Sequence, residues 1–523
     1  MDSSRNFHKK VPLPLVLRGL VHRTRFVMDF MVDAGMTVPS MVLLVLALGL
    51  ALGFEFVNGF HDTANAVATV IYTHSLRPIV AVVWSGFWNF LGVLTSSGAV
   101  AFGIVALLPV ELIVNVGSGA GFAMVFALLV SAILWNLGTW YLGLPASSSH
   151  TLIGSILGVG LMNSYLAADR AFGEGVNWGK VQDTAMALLV SPLVGFSCAA
   201  LLLLLAKALI KKPELYTDPD KDKGPPLWIR GLLILTCTGV SFAHGSNDGQ
   251  KGMGLIMLIL IGVVPATYAL DMAAQPNALA GITTDAKAAA LVFHRMAEGD
   301  EAGQGDGAQS VLSQYLRSGK FDHTTFSALA GKSQSVALTL EGKQHFSDIA
   351  PEGRRALRSD LYLLSESINK LGKAGAIASA DKPLLDGFKS KTKAVTAFIP
   401  TWVKAAVAIA LGLGTMIGWK RIVVTVGEKI GKAHLTYAQG ASAELVAMTT
   451  IAAADAFGLP VSTTHVLSSG VAGTMAANKS GLQMDTLRSL LLAWVLTLPV
   501  CVFLGAGLFA AGLYLVSNIL GLG

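Results

Sequence analysis

The sequence predicts an all-α polytopic membrane protein, an inverted repeat of two five-segment halves with broken or re-entrant helices, plus a small soluble helical insert. Three observations carry that expectation. Of 523 residues, 53% are hydrophobic and only 13% charged, against about 25% charged in an ordinary soluble domain. Apolar runs at 79–108, 120–142, 184–206 and 489–519 approach or exceed the roughly 20 residues that cross a bilayer core. Two polar motifs also appear twice, in the same order, inside such runs.

Taken along the chain, residues 1–40 read as a basic N-terminal tail with six Lys/Arg, in which Arg18, Arg23 and Arg25 interrupt the apolar residues. It suits an interfacial amphipathic segment or a loose tail, with no cleavable signal evident. Residues 41–210 form the first transmembrane half-repeat. A basic linker, "KKPELYTDPDKDKGPPLW", covers 211–228. The second half-repeat starts at 229–267, gives way to a soluble insert at 268–400, and resumes over 401–523. The net charge of +6 reflects loop lysines and arginines facing anionic lipid or cytoplasm rather than a nucleic-acid partner. Cys198, Cys237 and Cys501 are far apart without ligand spacing, so small core residues are expected in place of disulfides or zinc.

The repeat is readable in the residues. "YLGLPASSSHTLIGSILGVG" (141–160) lies over "AFGLPVSTTHVLSSGVAGTM" (456–475), with seven of twenty positions identical. Those are Gly143/Gly458, Leu144/Leu459, Pro145/Pro460, Ser147/Ser462, His150/His465, Leu152/Leu467 and Gly158/Gly473. "NGFHDTANAVAT" (58–69) likewise lies over "SFAHGSNDGQKGMG" (241–254), pairing Gly59 with Gly245, Asp62 with Asp248 and Phe56 with Phe242. Asp62 to His150 is 88 residues and Asp248 to His465 is 217, a difference of 129. The stretch 271–398 is 128 residues long and holds 29 charged residues. Removing it brings the halves into register, and "RRALRSDLYLLSESINKLGK" within it reads as part of a small helical domain. With five segments per half, the second half crosses the membrane upside down relative to the first, as in many secondary transporters. Ten spans with the linker inside put eleven Lys/Arg in inner loops, Lys420, Arg421 and Lys429 among them. Outer loops then hold two, Arg170 and Lys180, apart from the tail. The long insert then falls outside.

Polar backbone in lipid is tolerated only where it is buried in protein or lines a cavity. The glycines and Asn/Asp of "NGFHDTAN" and "HGSNDGQKG" disfavour continuous helix, so a break is expected at each. In "GLPASSSH" and "GLPVSTTH", Gly and Pro precede a hydroxyl triplet, the order expected where one segment ends and a new helix starts. A helix N-terminus offers free N–H groups and about half a positive charge. Two such termini with their hydroxyls suit a tetrahedral anion such as phosphate. Asp62 and Asp248 would repel that anion, and suit a bound cation, a proton or a metal accompanying it. Each feature also has a plainer reading. Membrane-helix hydroxyls often bond neighbouring helices, and His150 and His465 are compatible with satisfied core imidazoles. Glu55 and Glu444 are expected near segment ends, and Met253, Met257 and Trp494 as packing residues. It is the paired repetition of the motifs that favours a site.

"NGFHDTANAVAT", "HGSNDGQKG", "LPASSSHTLIG", "LPVSTTHVLSS", "GTMIGWKRIVVTVGEKIGK" and "TYAQGASAE" together closely resemble the bacterial low-affinity inorganic phosphate transporter (Pit) branch of the PiT phosphate permease family. The resemblance runs from about residue 41 over nearly the whole chain. It implies a multi-pass symporter for inorganic phosphate in the bacterial inner membrane, embedded in the lipid bilayer, homodimeric, with no cofactor beyond co-transported protons. It also implies that phosphate travels alone or as a complex with a divalent metal of unknown identity and ligands. Ser147, Ser148, Ser149, Ser462, Thr463 and Thr464, at the two helix starts, are candidates for phosphate contacts. Asp62, Asn65, Asn247, Asp248 and Lys251 are candidates for coupling, with His61, Gln250, His150 and His465 as accessory residues.

The family signature, generically Gly-x-Asn-Asp-x-x-Asn-Ala, is altered here. His61 replaces an asparagine in half one, and Lys251 replaces the second asparagine in half two. In sodium-coupled relatives those positions look like cation ligands, and an ammonium at 251 competes with sodium. Proton coupling is therefore expected, with sodium coupling or an anion channel as alternatives. An intramembrane hydrolase would need its nucleophile once, whereas the triplet occurs twice, so no enzyme is expected. A sensor using the insert is distinguished from a transporter by phosphate accumulation in vesicles.

Overall fold

The computed structural model describes residues 37–108, 118–167, 171–219, 224–299 and 305–519. The expectations for the N-terminal 36 residues, Arg170, Lys221 and Lys223 lie outside the described residues. The described residues are helical, with no strand beyond an isolated bridge between Gly431 and Leu482.

In half one, α1 (Val38–Asp62) passes through Thr63 into α2 (Ala64–Tyr72), followed by α3 (Pro78–Thr95), the short α4 (Ala99–Val105), α5 (Gly119–Tyr141), α6 (Ser148–Leu166) and α7 (Trp178–Leu209). Half two opens with α8 (Leu227–Val263) and the four-residue α9 (Pro265–Tyr268). The bundle α10 (Pro276–Met296), α11 (Ala308–Ser318), α12 (His323–Leu340), α13 (Pro351–Lys373) and α14 (Lys382–Thr396) follows. The chain then resumes with α15 (Thr401–Met416), α16 (Lys420–Val424), α17 (Tyr437–Ala456), α18 (Thr463–Asn478) and α19 (Met484–Tyr514).

Among the described residues six helices are long and apolar enough to cross a membrane: Val38–Tyr72, Pro78–Thr95, Gly119–Tyr141, Val181–Leu209, Leu227–Val263 and Met484–Ile519, with a seventh if the bent pair Lys382–Thr396 and Thr401–Met416 counts as one span. The chain is a multi-pass membrane protein. Helices α6, α15, α17 and α18 are shorter or more polar, and pack among the six. Exposed Val45, Val83, Leu193, Leu204, Leu235 and Val495 form the apolar outer face, as a lipid solvent allows.

Several sequence expectations are corrected. The apolar run 79–108 is not one helix, because Ser96, Ser97 and Gly98 interrupt it, with Gly98 at φ 86°. The expected break at "NGFHDTAN" reduces to Thr63, whose φ −52° and ψ −37° remain helical. "HGSNDGQKG" contains no break at all and lies inside the unbroken 37-residue α8. Glycine there costs roughly 1 kcal/mol per residue in helix propensity, and tertiary packing overrides it. A Cβ on Gly245 would stand 2.2 Å from the Asn89 carbonyl oxygen, and one on Gly254 2.5 Å from that of Ala101. Those glycines let α8 touch α3 and α4 backbone to backbone. Cys237 and Cys501 are buried and free, but Cys198 is exposed on α7, because a lipid-facing surface accepts a small apolar residue.

Corresponding helices exchange partners between the halves. Helix α6 packs on α19 while α18 packs on α7, and α3 packs on α8 while α15 packs on α1. The same contact recurs in detail. A Cβ on Gly158 would stand 2.1 Å from the Val502 carbonyl oxygen, and one on Gly473 2.2 Å from that of Phe196. Gly92 meets Phe242 as Gly414 meets Phe56.

Helices α10 to α14 enclose a separate core that includes Leu279, Phe293, Leu329, Leu361 and Phe388. The Asp271 N–H donates to the Val395 carbonyl (2.9 Å) where the bundle's two ends meet. Arg354 donates to the Ala266 carbonyl (2.8 Å), tying the bundle to the end of α9.

Candidate functional site

Both hydroxyl triplets open helices, as their sequence requires. Ser147 and Ser462 are N-caps: each hydroxyl oxygen accepts from the N–H three residues on, His150 and His465, at 3.2 Å. The preceding Gly143 and Gly458 take φ 69° and 65°, ending the helix before each loop as glycine readily does. In both loops Pro145 or Pro460 then holds the chain extended into the cap.

The two helix starts meet. Ser149 Oγ donates to the Val461 carbonyl at 2.8 Å, crossing from one loop to the other. The His150 and His465 rings lie 4.7 Å apart. Trp494, expected as packing, stacks on His465 at 4.0 Å and donates to the Pro145 carbonyl at 2.9 Å. It clamps one helix start to the other. Met253 and Met257 are buried in the core as expected.

Asp62 lies where the helix starts converge, and it is the acceptor for both. Ser148 Oγ donates to Oδ2 at 3.1 Å and Thr464 Oγ1 to Oδ1 at 2.5 Å. The sequence expectation kept the carboxylates away from the hydroxyls proposed as phosphate contacts. The fold instead places Asp62 directly on them. His61 Nδ1 stands 3.4 Å from Asp62 Oδ1, with Nε2 anchored 3.1 Å from Thr139. Asn65, one turn along, donates to Thr464 Oγ1 (3.1 Å) and Thr463 Oγ1 (3.4 Å), so coupling and phosphate candidates form one network.

Asp248 faces the same centre from α8. Lys251 Nζ is 2.6 Å from Asp248 Oδ2, and neither side chain exceeds 1% exposure. The i, i+3 spacing delivers this pair on one helix face. Lys251 does not reach toward water. His244, which sequence reasoning did not single out, stands between the carboxylates, its Nε2 3.7 Å from Asp62 Oδ2 and 3.5 Å from Asp248 Oδ2. Asn89 Oδ1 fixes the ring from behind at 2.8 Å from Nδ1. The i, i+4 spacing of His244 and Asp248 was visible in the sequence. Its meeting with Asp62 depends on two distant helices.

Asn247 and Gln250 do not join that centre. Asn247 Nδ2 donates to the Leu459 carbonyl at 3.2 Å. Gln250 Nε2 donates to Asp455 Oδ1 at 2.6 Å, and Ser246 Oγ reaches Asp455 Oδ2 at 2.6 Å. Asp455 is a second residue missed in the sequence, and with these bonds it holds the end of α17 on α8. Glu55 and Glu444 are not near segment ends in any exposed sense, since both are fully buried. Asn58 donates to Glu55 at 3.4 Å, and Thr236 bonds Glu444.

Burying such groups is costly unless each is paired, and pairing here is incomplete. Asp248 Oδ1, Asn65 Oδ1, Asn247 Oδ1, His150 Nδ1 and His465 Nε2 are buried with no protein partner. Oxygen and nitrogen atoms of Asp62, His244 and Asp248 lie within 4.8 Å of one another. Two carboxylates and an imidazole at that spacing fit a divalent cation, though Lys251 already occupies one Asp248 oxygen. The arrangement holds positive and negative charge at the start of two helices whose first-turn N–H groups have no partner inside their own helix.

Residues 58–505 match the phosphate transporter family. The chain is 42% identical to "Low-affinity inorganic phosphate transporter PitB" of Escherichia coli over 92% of this chain and 99% of that protein. It is 43% identical to PitA of the same organism over 91% and 98%. A solved structure titled "The sodium-dependent phosphate transporter" aligns over 90% of this chain with 19% identity and a TM-score of 0.48, too slight a likeness to argue from.

Proposed function

This chain belongs to the phosphate transporter family, and from that premise we propose that it carries inorganic phosphate into the bacterial cell across the inner membrane by symport with protons. It is a transporter and not an enzyme, and its substrate is inorganic phosphate. The observation that carries the coupled reading is Asp62 bonded to a hydroxyl from each half, Ser148 and Thr464. A charged Asp62 engages those hydroxyls and repels an anion. A neutralised Asp62 releases them to phosphate, with the adjacent helix N-termini adding N–H donors. Occupancy by anion and by cation is then mutually required, which is what symport demands.

Protons are favoured over sodium by Lys251. Its ammonium sits on Asp248, in the position that the repeat assigns to Asn65 in the other half. A resident cation there occupies one Asp248 oxygen and competes with sodium for that carboxylate. A second reading, in which a divalent metal accompanies phosphate, is supported by the Asp62, His244 and Asp248 set.

Phosphate uptake into proteoliposomes with imposed pH or sodium gradients, with and without magnesium, tests both. Accumulation driven by an inward proton gradient alone is expected. Accumulation that needs sodium overturns proton coupling, and magnesium-independent rates overturn the metal-phosphate reading.

A further inference from the structure

A cavity of about 700 Å³ opens on the outside of the helix bundle where the end of α5 meets α16. Trp140, Tyr141, Trp419, Lys420, Arg421 and Lys429 line it, and no carboxylate does among the described residues. It is separate from the Asp62 centre and plays no part in the coupling scheme.

Its walls are held in place. Trp140 Nε1 donates to the Gly418 carbonyl at 2.8 Å, and Arg421 Nη1 to the Tyr141 carbonyl at 2.9 Å. The Arg421 guanidinium lies 5.2 Å from the Trp140 ring centre and 5.0 Å from that of Tyr141. Beyond α16 the chain widens into a π-helical turn, Thr425–Lys429, a rare geometry that clusters at functional positions. Thr425 Oγ1 anchors that turn on the Gly143 carbonyl at 2.7 Å, so Lys429 joins the cavity made by Lys420 and Arg421.

Three cations beside one another, without an acid in the lining, repel unless an anion joins them. The anion class follows from the surroundings. Tyr141, Leu142 and Ile417 are 65%, 69% and 56% exposed beside the cavity. Trp and Tyr with Lys and Arg at the end of apolar spans mark the membrane–water interface. The cavity has room for roughly twenty waters at about 30 Å³ each, far more than a free phosphate ion fills. The geometry points to a binding site for the phosphate headgroup of an anionic phospholipid, its glycerol and acyl chains lying on Leu142 and Ile417. Through Thr425 and Gly143 the lipid site braces the loop that leads to Ser147.

The test uses the full-length protein in detergent, titrated with phosphatidylglycerol and with phosphatidylcholine of the same chains, bound lipid being counted by native mass spectrometry. Phosphatidylglycerol is expected to be retained over phosphatidylcholine. Lys420→Gln with Lys429→Gln leaves the wall hydrogen bonds intact and weakens phosphatidylglycerol binding about twenty-five-fold, from roughly five-fold per cation, with phosphatidylcholine unchanged. Equal retention of the two lipids, or an unaltered preference in the double variant, overturns the site. Displacement of phosphatidylglycerol by millimolar inorganic phosphate assigns the cavity to the free anion and overturns the lipid.

Discussion

Lys251→Met removes one member of a buried ion pair and leaves the other in place. Lys251 has no exposed surface, and Asp248 retains only His244 Nε2 at 3.5 Å on Oδ2 and no partner on Oδ1. Removing one partner of a buried pair costs about 3–5 kcal/mol, whereas removing both charges is close to neutral. At about 3 kcal/mol the unfolding equilibrium moves by more than a hundred-fold, on the scale of about 1.4 kcal/mol per factor of ten. Reversible unfolding in mixed micelles, measured for Lys251→Met, Asp248→Asn and the double variant, therefore gives a coupling energy. Both single variants are expected to be destabilised and the double variant to recover most of the loss. A double variant whose loss equals the sum of the singles, within about 0.5 kcal/mol, refutes the pair. The same position tests ion choice: Lys251→Asn is expected to weaken proton-driven uptake and to let sodium support it.

Ser148→Ala with Thr464→Ala removes two hydroxyl donors worth about 1 kcal/mol each, so half-saturating phosphate in radiolabelled uptake should rise on the order of thirty-fold; unchanged kinetics would exclude both as contacts. Asp62→Asn keeps the shape without the charge and should end concentrative uptake while phosphate–phosphate exchange persists, and normal accumulation removes Asp62 from coupling. Gly473→Ala drives a Cβ to 2.2 Å from the Phe196 carbonyl and should cost about 1–3 kcal/mol. Gly49→Ala, with nothing within 4 Å, should stabilise by up to about 1 kcal/mol; equal effects in unfolding would disprove the interhalf contact. A periplasm-only reporter enzyme fused at residue 330 should be active if ten spans place the insert outside, and a silent one there reverses that side.

What the sequence made legible was local chemistry. The caps at Ser147 and Ser462 follow from Gly, Pro and a hydroxyl in order, and the Lys251–Asp248 contact follows from a spacing of three on a helix. What it hid was set by distant packing. "HGSNDGQKG" reads as a helix breaker by propensity, yet its Gly245 and Gly249 are points at which α8 meets Asn89 and Val93. His244 becomes a bridge only because Asp62 arrives from another helix, nearly two hundred positions earlier in the chain. Asp455 escaped notice because its partners, Ser246 and Gln250, lie on α8 and not on its own helix. The burial of Glu55 and Glu444 could not be read from their neighbours, since hydropathy reports the average environment of a segment and not which face turns inward.

The exchange of partners between halves dictates an order of synthesis. Helix α6, which carries Ser148, rests on α19, and α19 begins at Met484. A ribosome that has completed the first half has made a hydroxyl helix with α5 to pack on, while its other partner, α19, is still untranslated. The candidate site, which needs a hydroxyl helix from each half, is therefore complete only once the C-terminal helix has arrived. Stalled chains ending before residue 484 should show α6 open to protease, and protection should appear only once α19 has emerged.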